Sequence, residues 1–212
     1  MRKNLLQQLT LALLLTAAVP TLTAQVHVGD ILCQGNLVYN PSIYPSSGAT
    51  AIGVVFYVDN TGQHGWAVAL EDAGSYQWGS WSSDTPLPNY NDKRQAIYDL
   101  DGYTNTFIVR QHSTDHPAFY AIDFENGWYV PSIGQLNYLY GNLVEVNAGL
   151  QLVNGNLFQP SGWNYWSSTE TSAQGAWLMS SSGDFDNNNY WENGWLHESK
   201  RGVRQVRGVR NF

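Results

Sequence analysis

The chain has 212 residues, of which 13% are charged and 14% aromatic, the rings coming from 9 Trp, 13 Tyr and 7 Phe. So few charges and so many rings exclude a disordered tail and a coiled coil. A formal net charge of −7 argues against nucleic acid as the main partner, because phosphate binding needs a basic surface.

In chain order, Arg2 and Lys3 precede an apolar run at 9–19, then Pro20 and the small pair Thr23 and Ala24. This is the pattern of a cleaved secretory signal, and the run is shorter than the ~20 residues that a bilayer span needs. Residues 1–24 are read as a signal peptide and residues 25–212 as one domain, exported to the periplasm, the cell surface or the medium. No later stretch approaches membrane length. Without Arg2 and Lys3, 8 basic residues face 17 acidic ones, a net charge of −9. Cys33 is the single cysteine, so no intrachain disulfide forms, and it reads as a buried strand residue.

Residues 26–38 predict an opening strand broken at Gly35 and Asn36, and 41–49 a turn-rich loop. Residues 52–58 and 65–70 are β-branched and aromatic runs across a Gly-containing turn, which predicts a hairpin. A short aromatic strand is expected at 76–81. Asp92 with Gln95 caps a helix that puts Ala96, Ile97 and Leu100 on one face, with Gly102 weakening its continuation toward Ile108. Residues 112–117 read as a loop. Ser132 with Gln135 forms a second capping box, followed by an apolar stripe of Leu136, Leu139 and Leu143. A short helix fits 145–153, and strands fit 165–168, 176–180, 190–196 and 202–210. Strands, helices and strands again, with no linker or repeat, predict a single α+β domain.

In the last strand Val203, Val206 and Val209 recur every third residue, which a period of two cannot keep on one face. A bulge at Gly208 would bring Val206 and Val209 inside together. Lys200, Arg201, Arg204, Arg207 and Arg210 are five of the eight mature basic residues. They read first as ion-pair partners of acidic neighbours, with an anionic-ligand site as the alternative.

No nucleophile elbow, zinc-protease helix, phosphate loop or dinucleotide fingerprint occurs. His112, Asp115 and His116 lack a third matching ligand at zinc spacing. Asp99, Asp101, Asp123 and Glu125 are scattered acids in which a glycosidase pair would have to be sought. The twelve-residue calcium loop beginning at Asp184 fails at Asn189, where Gly is needed, and at Trp195, where Glu is needed. A looser calcium site through Asp184, Asp186 and Glu192 is the remaining metal option, and no cofactor is otherwise implied. Residues 163–195 hold five of the nine Trp, interleaved with Asn. Ring faces against sugar C–H groups, with amides and carboxylates reaching hydroxyls, are what a glycan site needs. The same residue types also build protein-binding loops. The candidate ligand residues are Asn164, Asp184, Asp186, Asn187, Asn188, Asn189, Tyr190, Trp191, Asn193 and Trp195, the stretch 184–195 forming an exposed hairpin. Trp166 and Trp177, within strands, read as core.

The ordered series Gly127-Trp-Tyr-Val-Pro-Ser132, Gln135-Leu-Asn-Tyr-Leu139, Tyr165-Trp-Ser-Ser-Thr-Glu170, Ala176-Trp177 and 203–212 resembles a family of bacterial exported domains. That family has a C-type lectin-like fold and is related to the C-terminal domain of collagen-like bacterial adhesins. Val28-Gly-Asp-Ile31 and Ile52-Gly-Val-Val-Phe56 fit it as well. The resemblance implies two helices flanking a twisted antiparallel sheet, paired terminal strands, a structural Trp166–Ser168 segment and a long recognition region. The calcium-binding sugar motifs and the disulfides of animal relatives are missing, so calcium-dependent sugar binding does not carry over. One cysteine also gives little basis for the formylglycine-generating chemistry found on this fold. The expectation is a non-enzymatic, adhesin-like module recognising a glycan or a surface protein, or else an assembly subunit using the same aromatics as an interface. Oligomeric state is not encoded in any motif.

Overall fold

The computed structural model describes residues 25–81, 83–159, 164–180 and 197–212, with only the backbone of residue 197. Strand β1 (Ile31–Cys33) passes through a 3-10 turn into β2 (Leu37–Tyr39), its antiparallel partner. Gly35 and Asn36 hold φ of 77° and 59° in that turn, so the break they impose on the run 26–38 is a hairpin. One turn of helix, α1 (Tyr44–Ser47), interrupts the following loop. The expected hairpin is formed by β3 (Ala51–Val58) and β4 (Gly65–Ala69), and β5 (Gly74–Gln77) follows.

The helical middle departs from the expected continuous helix. Asp92 is the N-cap, but its side chain accepts from Arg94 N rather than sharing the expected box with Gln95, and α2 (Lys93–Ala96) is a single turn. A separate helix, α3 (Gly102–His112), starts at Gly102 under its own cap, Asp101, which accepts from Thr104 N. Gly102 is there because of crowding rather than flexibility. A Cβ on it would lie 2.5 Å from Gln135 Oε1, 2.6 Å from Val130 O and 2.7 Å from Ser132 N. The loop expected at 112–117 ends in another turn, α4 (Pro117–Tyr120). Helix α5 (Ile133–Gly141) carries the predicted capping box of Ser132 and Gln135. Leu136 and Leu139 are buried on its inner face, while Leu143 begins the next helix, α6 (Leu143–Leu152).

The last third is again β: β6 (Tyr165–Ser172), β7 (Gly175–Met179), β8 (His197–Ser199), β9 (Val203–Val206) and β10 (Val209–Asn211). The result is one α+β domain with two five-stranded sheets among the described residues, ordered β10-β4-β3-β1-β2 and β5-β9-β6-β7-β8. All named pairs are antiparallel except β6 with β9. The two chain ends share the first sheet, although β3 and β4 stand between β1 and β10. Helix α5 touches β3 of one sheet and β6 and β7 of the other.

What reads in sequence as one bulged strand is two strands in different sheets. The ladder stops at Arg207 and Gly208, and the chain crosses from one sheet to the other there. The parity argument still holds, because Val206 and Val209 are both fully buried while Val203 is 52% exposed. Strand β7 serves two cores, since Trp177 and Met179 join the cluster with Phe56 and Leu139, and Ala176 and Leu178 the one with Trp78 and Phe119. A strand with both faces buried loses the polar alternation that a half-exposed strand shows.

Replacing Gly102 by Ala should destabilise the fold by about 2 kcal/mol, the scale of overpacking, although Ala is the better helix former. Urea unfolding of the purified variant measures this; equal or greater stability would show that the α3–α5 approach relaxes freely.

Candidate recognition site

The region expected to carry ligand residues opens at Asn164, immediately before β6, and that strand is held from every side. Trp166 donates its indole N–H to Tyr76 O (3.0 Å), Trp78 donates to Ser167 O (2.7 Å), and Trp177 donates to Tyr90 O (2.8 Å). Ser167 Oγ donates to Trp177 O (2.7 Å), so the segment Trp166–Ser168 is structural, as the motif implied. Trp166 and Trp177 are core residues.

Asn164 lies immediately before β6, half-buried, with its carbonyl accepting from Gln205 N (3.0 Å). The remaining candidates, Asp184, Asp186, Asn187, Asn188, Asn189, Tyr190, Trp191, Asn193 and Trp195, lie outside the described residues. So do Glu192, the third member of the loose calcium set, and the strand expected at 190–196. Their anchors are described: β7 and β8 are antiparallel neighbours, with Trp177 opposite His197. The segment therefore joins two adjacent strands of the second sheet.

A second surface was not singled out in the sequence. On α3, Tyr103, Phe107 and Arg110 recur at four- and three-residue steps, which places them on one helix face. Phe107 is 48% and Tyr103 44% exposed. The Tyr103 ring stacks on Phe124 at 5.1 Å, and the Arg110 guanidinium lies 4.6 Å from the Tyr120 ring centroid and 5.2 Å from that of Phe124. Arg110 is fixed there by donating to Phe119 O (3.0 Å) and by Glu125 at 3.6 Å. The strip is thus an ordered row of rings with one clamped cation. Its signal was the 103–107–110 spacing, which lies in the stretch where Gly102 was read as weakening the helix begun at Asp92.

The scattered acids have structural partners. Asp99 Oδ2 accepts from Asn105 Nδ2 (2.8 Å) and Thr169 Oγ1 (2.7 Å), and burial raises its pKa above the ordinary carboxyl value. Asp101 caps α3, Asp123 accepts from Asn126, and Glu125 faces Arg110. The basic cluster mostly follows the ion-pair reading. Lys200 pairs with Glu170, Arg204 with Glu198 at 2.6 Å, and Arg207 with Asp72 at 3.6 Å. Arg207 also donates to Ala69 O and Leu70 O and covers the Phe158 ring. Arg210 is different, donating to Asn36 Oδ1 and lying over Trp128.

His116 is fully buried against the edges of Trp78 and Phe119, and neither ring nitrogen has a hydrogen-bond partner among the described residues. Burial, reinforced by the nearby Lys200 charge, pushes its pKa down to about 4. Among the described residues no group of three or more His, Cys, Asp or Glu is placed to hold a metal ion.

No protein-family model matches the chain, and no curated protein matches it. A solved structure of a fimbrial protein from Bacteroides ovatus matches with a TM-score of 0.64 and 19% sequence identity. The match covers 88% of this chain and 49% of the other, so the chain spans about half the length of that protein. At this identity the likeness shows a shared fold. Among the described residues no helix is long and apolar enough to cross a membrane.

His116 gives a pH signature. Its folded pKa of about 4 lies below the ordinary 6.5, so the unfolded chain binds the extra proton between these values and stability falls as pH drops through them. The expected loss attributable to His116 is about 3 kcal/mol, present in full only below pH 4. Comparing the pH dependence of unfolding with that of His116→Phe measures it; parallel curves from pH 7 to 4 would mean that His116 titrates normally.

Proposed function

We propose that residues 25–212 are an exported, non-enzymatic binding domain of the cell surface, adhesin-like in role, with residues 1–24 removed as a signal peptide. The observation that carries this reading is the fold shared over 88% of the chain with a protein described as fimbrial. The motif series that resembles lectin-like adhesin domains supports it independently. The ligand residues are Asn164 together with Asp184, Asp186, Asn187, Asn188, Asn189, Tyr190, Trp191, Asn193 and Trp195. Their chemistry suits a glycan or a protein ligand, through ring faces with amides and carboxylates beside them. Calcium is not required for this reading, and neither nucleic acid nor a membrane span enters it.

The alternative is an assembly subunit of a surface complex, and the aromatic strip on α3 favours it. Large exposed rings with a clamped arginine are the residue types that concentrate binding energy in protein interfaces. The chain also matches only 49% of the fimbrial protein, which makes further protein mass beside this fold part of that architecture.

Two variants separate the readings. Replacing Asp186 through Asn189 with Ser should leave thermal unfolding almost unchanged and abolish binding on a glycan array or to a captured envelope protein. A large fall in melting temperature with affinity intact would make the segment structural. Phe107→Ala should instead weaken capture of envelope proteins by tenfold or more, about 1.4 kcal/mol, if α3 is the interface. Glycan binding that survives Phe107→Ala and fails in the Ser variant favours the binding module; the reverse pattern favours the assembly subunit.

A further inference from the structure

Glu170 lies on β6 and Lys200 directly follows β8, and both side chains are fully buried. Lys200 Nζ is in direct contact with Glu170 Oε1, donates to Ser83 O (2.8 Å), and stands 4.5 Å from the Trp78 ring centroid. The backbone of each residue is held. Lys200 N donates to Gln174 O (2.9 Å) and Gly79 N to Lys200 O (3.1 Å), while Tyr90 N donates to Glu170 O (2.9 Å). Held backbones and full burial of both side chains keep the two functional groups together.

As an ion pair the arrangement is poorly supported. A buried carboxylate needs most of its lone pairs satisfied, and the desolvation of two ions is offset only when such bonds are complete. Here Glu170 Oε2 is buried with no hydrogen bond among the described residues, the Thr85 hydroxyl being near the carboxyl group without completing one. Burial raises the pKa of Glu170 and lowers that of Lys200, so both shifts run toward the neutral acid and the neutral amine. Beside them stands His116, uncharged, with neither ring nitrogen hydrogen-bonded among the described residues, and facing the same Trp78 ring.

We propose that Lys200 and Glu170 condense into an intramolecular amide bond that staples β6 to the segment following β8. The Nζ lone pair attacks Glu170 Cδ, the new C–N bond forms, and one C–O bond breaks. The departing hydroxyl takes one amine proton and leaves as water, so an acid and an amine become an amide and water with no oxidant or co-reactant. The unpartnered Oε2 is the oxygen that leaves, and the remaining N–H keeps the bond to Ser83 O. Holding an amine against a carboxyl group in a dry site replaces a bimolecular condensation by an intramolecular one, which is worth effective concentrations of about 10⁵ M or more. His116 is a positioning neighbour, its neutral ring keeping a second positive charge away from the amine.

The test is the mass of the unfolded, digested wild-type protein, read on peptides so that N-terminal processing does not enter. The expected result is a deficit of about 18 Da on linked peptides containing Glu170 and Lys200, of the kind a covalent modification leaves. The deficit should vanish in Lys200→Arg and in Glu170→Ala. Wild-type peptides at their full sequence mass would overturn the proposal, as would a deficit that persists in Lys200→Arg. The wild-type measurement decides even where a variant fails to fold.

Discussion

Asp99, in the turn between α2 and α3, carries a buried carboxyl group with no cation against it among the described residues, and the helices are fastened to the sheets through its hydrogen bonds. Oδ2 accepts from Asn105 on α3 and Thr169 on β6, and Oδ1 accepts from Asp101 N. Its backbone carbonyl accepts from Ser132 Oγ (2.6 Å) and Gly134 N (3.1 Å), the first turn of α5. From there the chain of polar contacts continues. Gln135 Oε1 accepts from Gly102 N and Ser132 N, Gln135 Nε2 donates to Tyr129 OH, and Tyr129 OH donates to Asn211 on the last strand. Each buried group left without its partner would cost roughly 1–3 kcal/mol, so the network tolerates few rearrangements. It fixes α3, α5, β6 and β10 relative to one another with neutral donors alone.

A chain with one cysteine and few charges has to hold its second sheet by other means. Strand β6 meets β9 at a single registered pair, Tyr165 with Gln205. The reciprocal indole bonds, Trp166 to Tyr76 O and Trp78 to Ser167 O, join β6 directly to the β5 region and make up for that short ladder. The high tryptophan content is thus partly a matter of donors. An indole fills core volume and still reaches a backbone carbonyl that no strand is available to pair.

The features legible in sequence are those whose cause lies within a few residues. Ser132 and Gln135 announce α5 because a capping box is a local exchange of hydrogen bonds, and the β3–β4 hairpin is set by two β-branched and aromatic runs across a Gly-containing turn. The parity of Val206 and Val209 was legible too, but its reason was not, because a crossing between sheets and a bulge both shift alternation by one residue. Gly102 was misread for the opposite cause. Its need arises from Val130, Ser132 and Gln135, about thirty residues away, and helix propensity carries no information about them. Of the candidate ligand residues, Asn164 falls within the described backbone, and those of 184–195 are read from sequence composition.

Charge placement narrows what either surface can recognise. Lys200 and Arg207 are withdrawn into the interior beside Glu170 and Asp72, and Arg110 is turned onto Tyr120 and Phe124, so three of the eight mature basic residues are committed to internal contacts. The excess of acidic residues is left to set the long-range field, which repels a polyanion such as nucleic acid. Apart from Asp184, Asp186 and the clamped Arg110, the candidate residues of both surfaces carry no net charge: asparagine amides and indole or phenol rings among the candidates of 164–195, and exposed rings on α3. Contacts of this kind act over a few ångströms and are insensitive to ionic screening. On the proposed reading, recognition would rest on shape and desolvation more than on electrostatic capture, with the hydrogen-bond-pinned β6 as a rigid part of its scaffold.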